Sequence, residues 1–182
     1  MLKLYGGARS RATIVKWYLE ELQLPYEFVQ LDMQAGEHLR PPYTEINPLG
    51  KVPAIVDGDF KLWESGAILI YLADKYDQTL TSPEDRALIS QWALCANATM
   101  SAMFVEATRE KEMPRLLPPL NQLLQNQPFF LGDRFTAADV AMGATLFYAI
   151  LMLGINYEAY PAIADYIGRL KQRPAFQKIF GG

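Results

Sequence analysis

The sequence predicts an α/β domain followed by an all-helical domain. Within residues 1–76 the apolar residues switch between strand-like alternation and helical spacing, whereas residues 84–182 show helical spacing alone. Residues 77–83 have the polar, proline-ended composition of a linker. Since 51% of the 182 residues are apolar, both domains have enough apolar side chains to form a core.

The first domain opens with a strand, a helix and a second strand. Leu2–Tyr5 is a short strand-like segment, and apolar residues then recur at helical spacing from Arg11 to Leu22 until Pro25 ends the pattern. Tyr26–Leu31 alternates as a second strand. This succession predicts two parallel strands joined by a right-handed crossover.

A hairpin and a second helix follow the irregular stretch at residues 32–46. Asn47–Gly58 reads as a turn, a strand that opens on Pro53, and the tight turn of a hairpin. A further strand leads to Ser65, which can begin a helix that extends to Lys75. The order β-α-β followed by β-β-α predicts a thioredoxin-like domain.

Four helices are expected in the second domain. The first runs from Pro83, capped by Ser82, to about Lys111, and the others cover about 116–126, a segment from Thr136, and about 163–172. Three prolines between residues 111 and 128 predict a short, interrupted helical pair there.

Thr136 and Asp139 are spaced as a capping box at the start of the third of these helices. Phe135 and Val140 are spaced as the accompanying hydrophobic staple. Because an acid at this position ordinarily bonds to its own helix end, we assign the motif a structural role.

Composition excludes several classes of function. The net charge is −3 and no run of Lys and Arg exceeds two, which argues against nucleic acid as a partner. The single cysteine, Cys95, cannot form an internal disulfide, and with one histidine it excludes an ordinary zinc site. We find no signal peptide and no apolar run of about 20 residues, so we expect a cytoplasmic protein without a membrane span or a bound metal.

Two places in the first domain leave backbone groups unpaired. Proline cannot donate a hydrogen bond, so we expect a free strand edge around Val52 and Pro53. The first amides of the helix at Ser65 also lack partners, and the helix dipole favours an anion there. A peptide-like ligand with a free carboxylate would satisfy both.

Three motifs in this order resemble the cytosolic glutathione S-transferases. They are Asn-Pro-Leu-Gly-Lys-Val-Pro at 47–53, Leu-Trp-Glu-Ser-Gly-Ala-Ile-Leu-Ile-Tyr-Leu at 62–72, and Thr-Ala-Ala-Asp at 136–139. The resemblance covers nearly the whole chain. It implies a thioredoxin-like domain that holds glutathione as co-substrate, a helical domain that supplies an electrophile pocket, a cis Val52–Pro53 peptide and a homodimer. The short second domain is similar to the bacterial and cyanobacterial chi class.

The resemblance also implies a set of glutathione-binding residues: His38, Lys51, Val52, Pro53, Glu64 and Ser65. In this family pattern, the backbone of Val52 pairs with the cysteinyl part of glutathione. Ser65 and its helix start receive the γ-glutamyl carboxylate, and Glu64 receives the ammonium group. Lys51 and His38 stand where relatives contact the glycyl half. Outside this pattern, Ser65 would be an ordinary helix cap and Glu64 an acid just before the helix or in its first turn. Lys51 would be a solvated charge and His38 a surface loop histidine.

Three sources of thiolate stabilisation remain open. Ser10 resembles the catalytic serine of the plant and theta-type classes, whereas Tyr5 lies where other classes place a catalytic tyrosine. The backbone amides of Ala8 and Arg9, aided by a nearby arginine such as Arg11, could instead hold the thiolate alone. We favour Ser10, whose alternative role is to cap the first helix.

The resemblance places an apolar electrophile pocket on the loop after the first strand and the first long helix of the second domain. The candidate residues are Gly7, Ala8, Arg9, Met100, Met103, Phe104 and Ala107, although the last four fit ordinary core packing equally well. We expect a transferase that detoxifies small hydrophobic electrophiles such as isothiocyanates or aryl halides. The alternatives are a glutathione-dependent peroxidase and a non-catalytic interaction module of the same fold.

Overall fold

The computed structural model describes residues 1–79 and 82–181, so the predicted linker at 77–83 lies partly outside the described residues. The chain divides into two compact units, Met1–Thr79 and Leu80–Gly182. The first combines a four-stranded sheet with helices, and the described part of the second is helical apart from isolated bridges. This confirms the predicted fold class.

The first unit is built on a mixed sheet with strand order β2-β1-β3-β4. Strand β1 pairs in parallel with β2 and antiparallel with β3, which pairs antiparallel with β4. The elements are β1 (Leu2–Gly6), α1 (Ala12–Glu21), β2 (Tyr26–Gln30), β3 (Ala54–Asp57), β4 (Phe60–Trp63) and α2 (Ser65–Tyr76), with short 3₁₀ helices at Glu37–Leu39 and Tyr43–Glu45. The predicted parallel β-α-β unit is confirmed.

The core of the first unit is formed by alternate side chains of β1 and by the apolar faces of the helices. Leu2 and Leu4 of β1 are buried, and so are Trp17 of α1 and Leu72 of α2. Because these side chains remove apolar surface from water, they hold the helices against the sheet.

The expectation of a free strand edge at Pro53 is wrong. Strand β3 is an inner strand, paired with β1 and β4 from Ala54 onward. Proline instead ends the pairing at this point, and the unpaired backbone groups belong to the loop that precedes β3. The peptide bond between Val52 and Pro53 is cis, as the resemblance implies.

The described part of the second unit contains five α-helices. They are α3 (Pro83–Leu94), α4 (Glu106–Asn126), α5 (Ala137–Leu153), α6 (Pro161–Lys171) and α7 (Pro174–Phe180). A π-helical turn at Cys95–Thr99 and a 3₁₀ turn at Met100–Phe104 connect α3 to α4. No described helix has the length and apolar composition that a membrane span requires.

The predicted continuous helix from Pro83 to Lys111 is wrong. Helix α3 ends at Leu94, and the extended backbone of Val105 separates the following turns from α4. The expected interruption after Lys111 is also wrong, because α4 continues through Pro114, Pro118 and Pro119.

The predicted helix caps of the second unit are present. The Ser82 hydroxyl accepts a hydrogen bond from the Asp85 amide at 3.0 Å. At the start of α5, Thr136 and Asp139 form a capping box, in which the Thr136 amide donates to the Asp139 carboxylate at 2.9 Å. Asp139 is fully buried and also accepts from the Phe130 amide at 2.9 Å. Its contacts are therefore those of the structural role that the sequence predicts.

Candidate functional site

A pocket of about 180 Å³ lies in the first unit. Its lining residues come from the start of α1, the loop before β3 and the start of α2, and they are Arg11, Asn47, Lys51, Val52, Pro53, Glu64 and Ser65. Most of the glutathione-binding residues that the resemblance implies therefore lie together. His38 is not among the lining residues.

The loop before β3 presents an unpaired backbone to this pocket. Asn47 is 1% exposed and donates from Nδ2 to the Lys51 carbonyl at 2.8 Å, while its Oδ1 accepts from the Leu49 amide at 3.0 Å. The Tyr43 hydroxyl donates to the same Lys51 carbonyl. Among the described residues, the N–H and C=O groups of Val52 have no hydrogen-bond partner. They are free to pair with an extended peptide.

The start of α2 supplies a second set of donors, for which the described residues offer no acceptor. Glu64 has φ 73° and ψ 118°, which turns the chain sharply from β4 into the helix. The first helical hydrogen bond joins the Ile68 amide to the Glu64 carbonyl at 2.9 Å. The amides of residues 65–67 therefore have no intrahelical acceptor and, with the helix dipole, favour an anion. The Ser65 side chain beside them is buried.

Three charged side chains of the pocket have no partner within residues 1–79 and 82–181. Arg11, Lys51 and Glu64 form no salt bridge or side-chain hydrogen bond there. Two cations and one anion would match a ligand that carries two carboxylates and one ammonium group. Such a ligand would replace water around all three charges.

The candidate thiolate-stabilising groups lie in the turn between β1 and α1, except for Tyr5, which lies in β1. The Ser10 hydroxyl donates to the Gly7 carbonyl at 3.0 Å and accepts from the Ala12 amide at 3.3 Å. Its bonds therefore lie within the turn before α1, whose N-cap residue is Arg11. The Tyr5 ring lies 5.9 Å from the ring of Tyr43. Of the predicted groups, only Arg11 lines the pocket, whereas Ala8 and Arg9 are exposed in the turn.

His38 lies in the 3₁₀ helix Glu37–Leu39, next to the loop before β3. Its Nδ1 is buried and has no hydrogen-bond partner among the described residues. A Cβ on Gly50 would lie 2.9 Å from the His38 carbonyl oxygen, and Gly50 has φ +61°. Only glycine suits this contact, so the two segments are held closely together.

The predicted electrophile-pocket residues of the second unit are divided between two elements. Met100, Met103 and Phe104 lie in the 3₁₀ turn, and Ala107 lies in α4. The two methionines are fully buried, as core residues are, whereas Phe104 is half-buried and Ala107 is exposed. The prediction that one helix carries all four residues is therefore wrong. Gly7 is buried, and a Cβ there would lie 2.6 Å from Met33 Cγ.

Cys95 begins the π-helical turn and is half-buried. Burial raises the pKa of its thiol above the ordinary value. The neutral thiol is therefore favoured at neutral pH, which agrees with the inert role expected from the sequence.

Sequence reasoning missed two residues that organise the site, Tyr43 and Asn47. The turn that begins at Asn47 was predicted, and asparagine is a recognisable signal for a side-chain-stabilised turn, but the hydrogen bonds of its side chain were not assigned. Tyr43 has no comparable local signal, because its acceptor lies in a later turn.

Comparisons with known proteins agree with this geometry. The model of the glutathione S-transferase N-terminal domain matches residues 1–74, and that of the C-terminal domain matches residues 104–169. The chain is 32% identical to glutathione S-transferase GstB of Escherichia coli (strain K12), over 98% of this chain and 97% of that protein. It is 29% identical to the disulfide-bond oxidoreductase YfcG of the same organism, over 96% of this chain and 92% of that protein.

A solved structure gives the same result. The glutathione transferase URE2P6 from Phanerochaete chrysosporium, in complex with oxidized glutathione, superposes with a TM-score of 0.84 at 30% identity, covering 99% of this chain and 94% of that chain. The chain therefore belongs to the cytosolic glutathione S-transferase family.

Proposed function

We propose that this protein is a glutathione transferase that binds glutathione in the first-unit pocket and adds its thiolate to small hydrophobic electrophiles. The observation that carries the proposal is a set of groups in one pocket that have no partner in the described part of the chain: two cations, one carboxylate, the Val52 backbone and the first amides of α2. Glutathione carries two carboxylates, one ammonium group and a peptide backbone, which are the complementary groups.

The proposed orientation follows from the chemistry of each group. The γ-glutamyl carboxylate binds at Ser65 and the α2 amides, and its ammonium group pairs with Glu64. The cysteinyl backbone pairs with Val52. The glycyl carboxylate lies toward Lys51, with His38 as a further donor.

Stabilisation of the thiolate is the catalytic step that the protein supplies. A free thiol has a pKa of about 8.5, so only a few per cent is ionised at pH 7. Lowering the pKa by two units requires about 2.7 kcal/mol, which one or two charge-assisted hydrogen bonds provide. We propose that the Ser10 hydroxyl rotates from the Gly7 carbonyl to the sulfur, with Arg11 or the Ala8 and Arg9 amides as alternative donors. Tyr5 is the remaining candidate.

The Ser10→Ala variant tests this step. Removal of the donor destabilises the thiolate, so the pH midpoint of kcat/KM shifts upward by about one unit, while glutathione affinity changes by less than about twofold. Tyr5→Phe and Arg11→Gln provide the comparison. An unchanged pH profile in Ser10→Ala together with a shifted profile in one of the others would transfer the role to that residue.

Calorimetry with glutathione and an assay with benzyl isothiocyanate test the function itself. We expect binding and conjugation by the wild type, and a loss of affinity of at least about tenfold in Glu64→Gln, because a charged hydrogen bond is lost. Glu84→Gln, on the exposed first turn of α3, is the matched control. No binding at millimolar glutathione would favour a non-catalytic interaction module.

A second candidate function is the reduction of disulfides, favoured by the similarity to the disulfide-bond oxidoreductase YfcG. The bound thiolate would attack a disulfide sulfur and release one thiolate, and a second glutathione would then displace the other half to give glutathione disulfide. The sequence has one cysteine, Cys95, and burial raises the pKa of its thiol, so we propose that glutathione supplies both thiols. Production of glutathione disulfide from hydroxyethyl disulfide separates this activity from conjugation.

The family resemblance also supports a cytoplasmic homodimer. Sedimentation velocity of the purified protein tests the dimer, which has twice the mass of the 20.6 kDa chain. A single species at the mass of one chain would contradict it.

A further inference from the structure

Two buried side chains from successive turns donate to a single backbone carbonyl, that of Lys51. The Tyr43 hydroxyl and the Asn47 amide both reach this oxygen, the latter at 2.8 Å. Tyr43 is 2% exposed and Asn47 is 1% exposed. A carbonyl oxygen has two lone pairs, and both are therefore used by protein donors. Its direction is fixed from two sides.

Lys51 C=O and Val52 N–H are the two polar ends of one planar peptide group. The described residues contain cis peptides only at Pro41–Pro42 and Val52–Pro53, so the peptide between Lys51 and Val52 is trans. In a trans peptide the C=O and N–H point in opposite directions. Fixing the carbonyl toward Tyr43 and Asn47 therefore directs the Val52 N–H away from them.

The two donors are themselves held in place. The Tyr43 carbonyl accepts from the Ile46 amide at 2.8 Å and from the Asn47 amide at 3.0 Å, and the Asn47 carbonyl accepts from the Gly50 amide at 3.0 Å. Burial raises the pKa of Tyr43 to about 12, so the phenol keeps the proton that it donates throughout the neutral range. We call this pair the Tyr43–Asn47 clamp. Its hydrogen bonds to the Lys51 carbonyl are formed before any ligand binds.

We propose that the Tyr43–Asn47 clamp positions the Val52 backbone for glutathione, and that both are positioning residues rather than catalytic ones. The inference rests on the proposed function, because it concerns the same pocket. Without the clamp, the Lys51–Val52 peptide could rotate, and glutathione binding would have to select the correct orientation from several. The expected effect is on glutathione affinity and not on the chemistry at sulfur.

Tyr43→Phe removes a single oxygen atom and tests the clamp with little change in packing. We expect the dissociation constant of glutathione to rise about three- to tenfold, the effect of one neutral hydrogen bond, with kcat at saturating glutathione within about twofold of the wild type. The pH midpoint of kcat should remain unchanged, since the turn at Ser10 is not altered. Asn47→Ala removes the other donor and gives an independent measurement.

Tyr157→Phe is the matched control. The Tyr157 hydroxyl donates to the Leu146 carbonyl at 3.0 Å in the second unit, so this variant removes a buried bond of the same kind away from the pocket. It should lower the unfolding temperature as Tyr43→Phe does and leave glutathione affinity unchanged. Circular dichroism identifies the folded variants, and one folded clamp variant is enough for the test.

Unchanged glutathione affinity in a folded Tyr43→Phe or Asn47→Ala protein would overturn the proposal. A fall in kcat without a change in affinity would do the same, because it would place the residue in the chemistry. If the wild type itself fails to bind glutathione, the proposed function is wrong, and this outcome is distinct from equal binding by wild type and variants.

Discussion

At the scale of single residues, the backbone of Glu64 favours glycine, whereas the proposed ligand requires the carboxylate of its side chain. Its φ of 73° lies in the region that favours glycine, and a residue with a Cβ is strained there. Glycine would satisfy the backbone, yet the pocket carries a carboxylate at this position. This conflict is expected where a side chain is kept for a ligand, because strain at a binding site persists when the site needs it.

Glu64→Gly should therefore separate stability from binding. Relief of the strain is expected to raise the free energy of unfolding by about 1 kcal/mol, after the entropic cost of glycine in the unfolded chain. Loss of the carboxylate should weaken glutathione binding at least about tenfold. Urea denaturation and calorimetry measure the two effects. In Glu64→Ala the glutathione affinity should fall equally, but the stability should not rise, because alanine keeps the strained Cβ. A rise in the stability of Glu64→Ala would show that relief of strain does not explain the stability of Glu64→Gly.

At the scale of secondary-structure elements, two carboxylates give opposite dependences of stability on pH. Burial raises the pKa of Asp139 at the start of α5 to about 6. At the end of β3, the Lys75 ammonium holds the pKa of Asp57 below its ordinary value, with Tyr76 and Tyr71 as further donors to the same oxygen. One group favours the folded state when protonated and the other when ionised.

Asp139→Asn tests this difference in sign. Because the folded pKa of Asp139 is raised, its contribution is greatest below the unfolded value near 4 and is lost as the pH rises through about 6. The stability of the wild type relative to Asp139→Asn should therefore increase by about 2 kcal/mol between pH 7 and pH 4. Asp57→Asn should show the reverse, with wild-type stability lost as the pH falls below about 4. Urea denaturation at several pH values measures the free energy of unfolding. If this free energy changes with pH in parallel for Asp139→Asn and the wild type, the expected contribution of Asp139 is contradicted.

Helix α4 shows why its bounds could not be predicted from the sequence. Local propensity argues for a break at Pro114, Pro118 and Pro119, since each lacks a donor for the preceding turn. Leu117, Leu120 and Leu124 are nevertheless buried along one face, while the three prolines are exposed on another. Burial of the leucine face outweighs the proline penalty, and that burial depends on tertiary packing that a local pattern does not contain.

Pro114→Ala should stabilise the protein. The new amide can donate to the Glu110 carbonyl, and the exposed position means that no buried contact is lost. We expect the free energy of unfolding to rise by about 1–3 kcal/mol, measured by urea denaturation. Ala107→Pro, in the first turn of the same helix, is the control, because proline is tolerated there and should cost little. A destabilised Pro114→Ala protein would mean that the proline itself is part of the packing.

At the scale of the whole molecule, the sequence predicted those features that are encoded locally. The β-α-β unit, the hairpin and the caps at Ser82 and Thr136 each depend on a few adjacent residues, and the structure contains them all. The inner position of β3 depends on pairing with β1, some fifty residues earlier. The alternation of apolar residues within a strand does not predict which strands will be its neighbours. Tyr43 and Lys51 are only eight residues apart, but their contact joins a side chain to the backbone of a later turn, and no residue spacing predicts such a bond. Both ends of the pocket were nevertheless predicted from their motifs.

Glutathione should stabilise the whole chain through this one pocket. A ligand that binds only the folded state adds about 2.7 kcal/mol at 100 times its dissociation constant, which corresponds to a rise of about 5–10 °C in Tm for a chain of this size. Thermal denaturation with and without glutathione measures it. The dipeptide Cys-Gly lacks the γ-glutamyl group that Glu64 and Ser65 are proposed to bind, so it should give a much smaller shift. Equal shifts with both peptides would mean that the start of α2 does not contribute, and the orientation of glutathione in the pocket would have to be reversed.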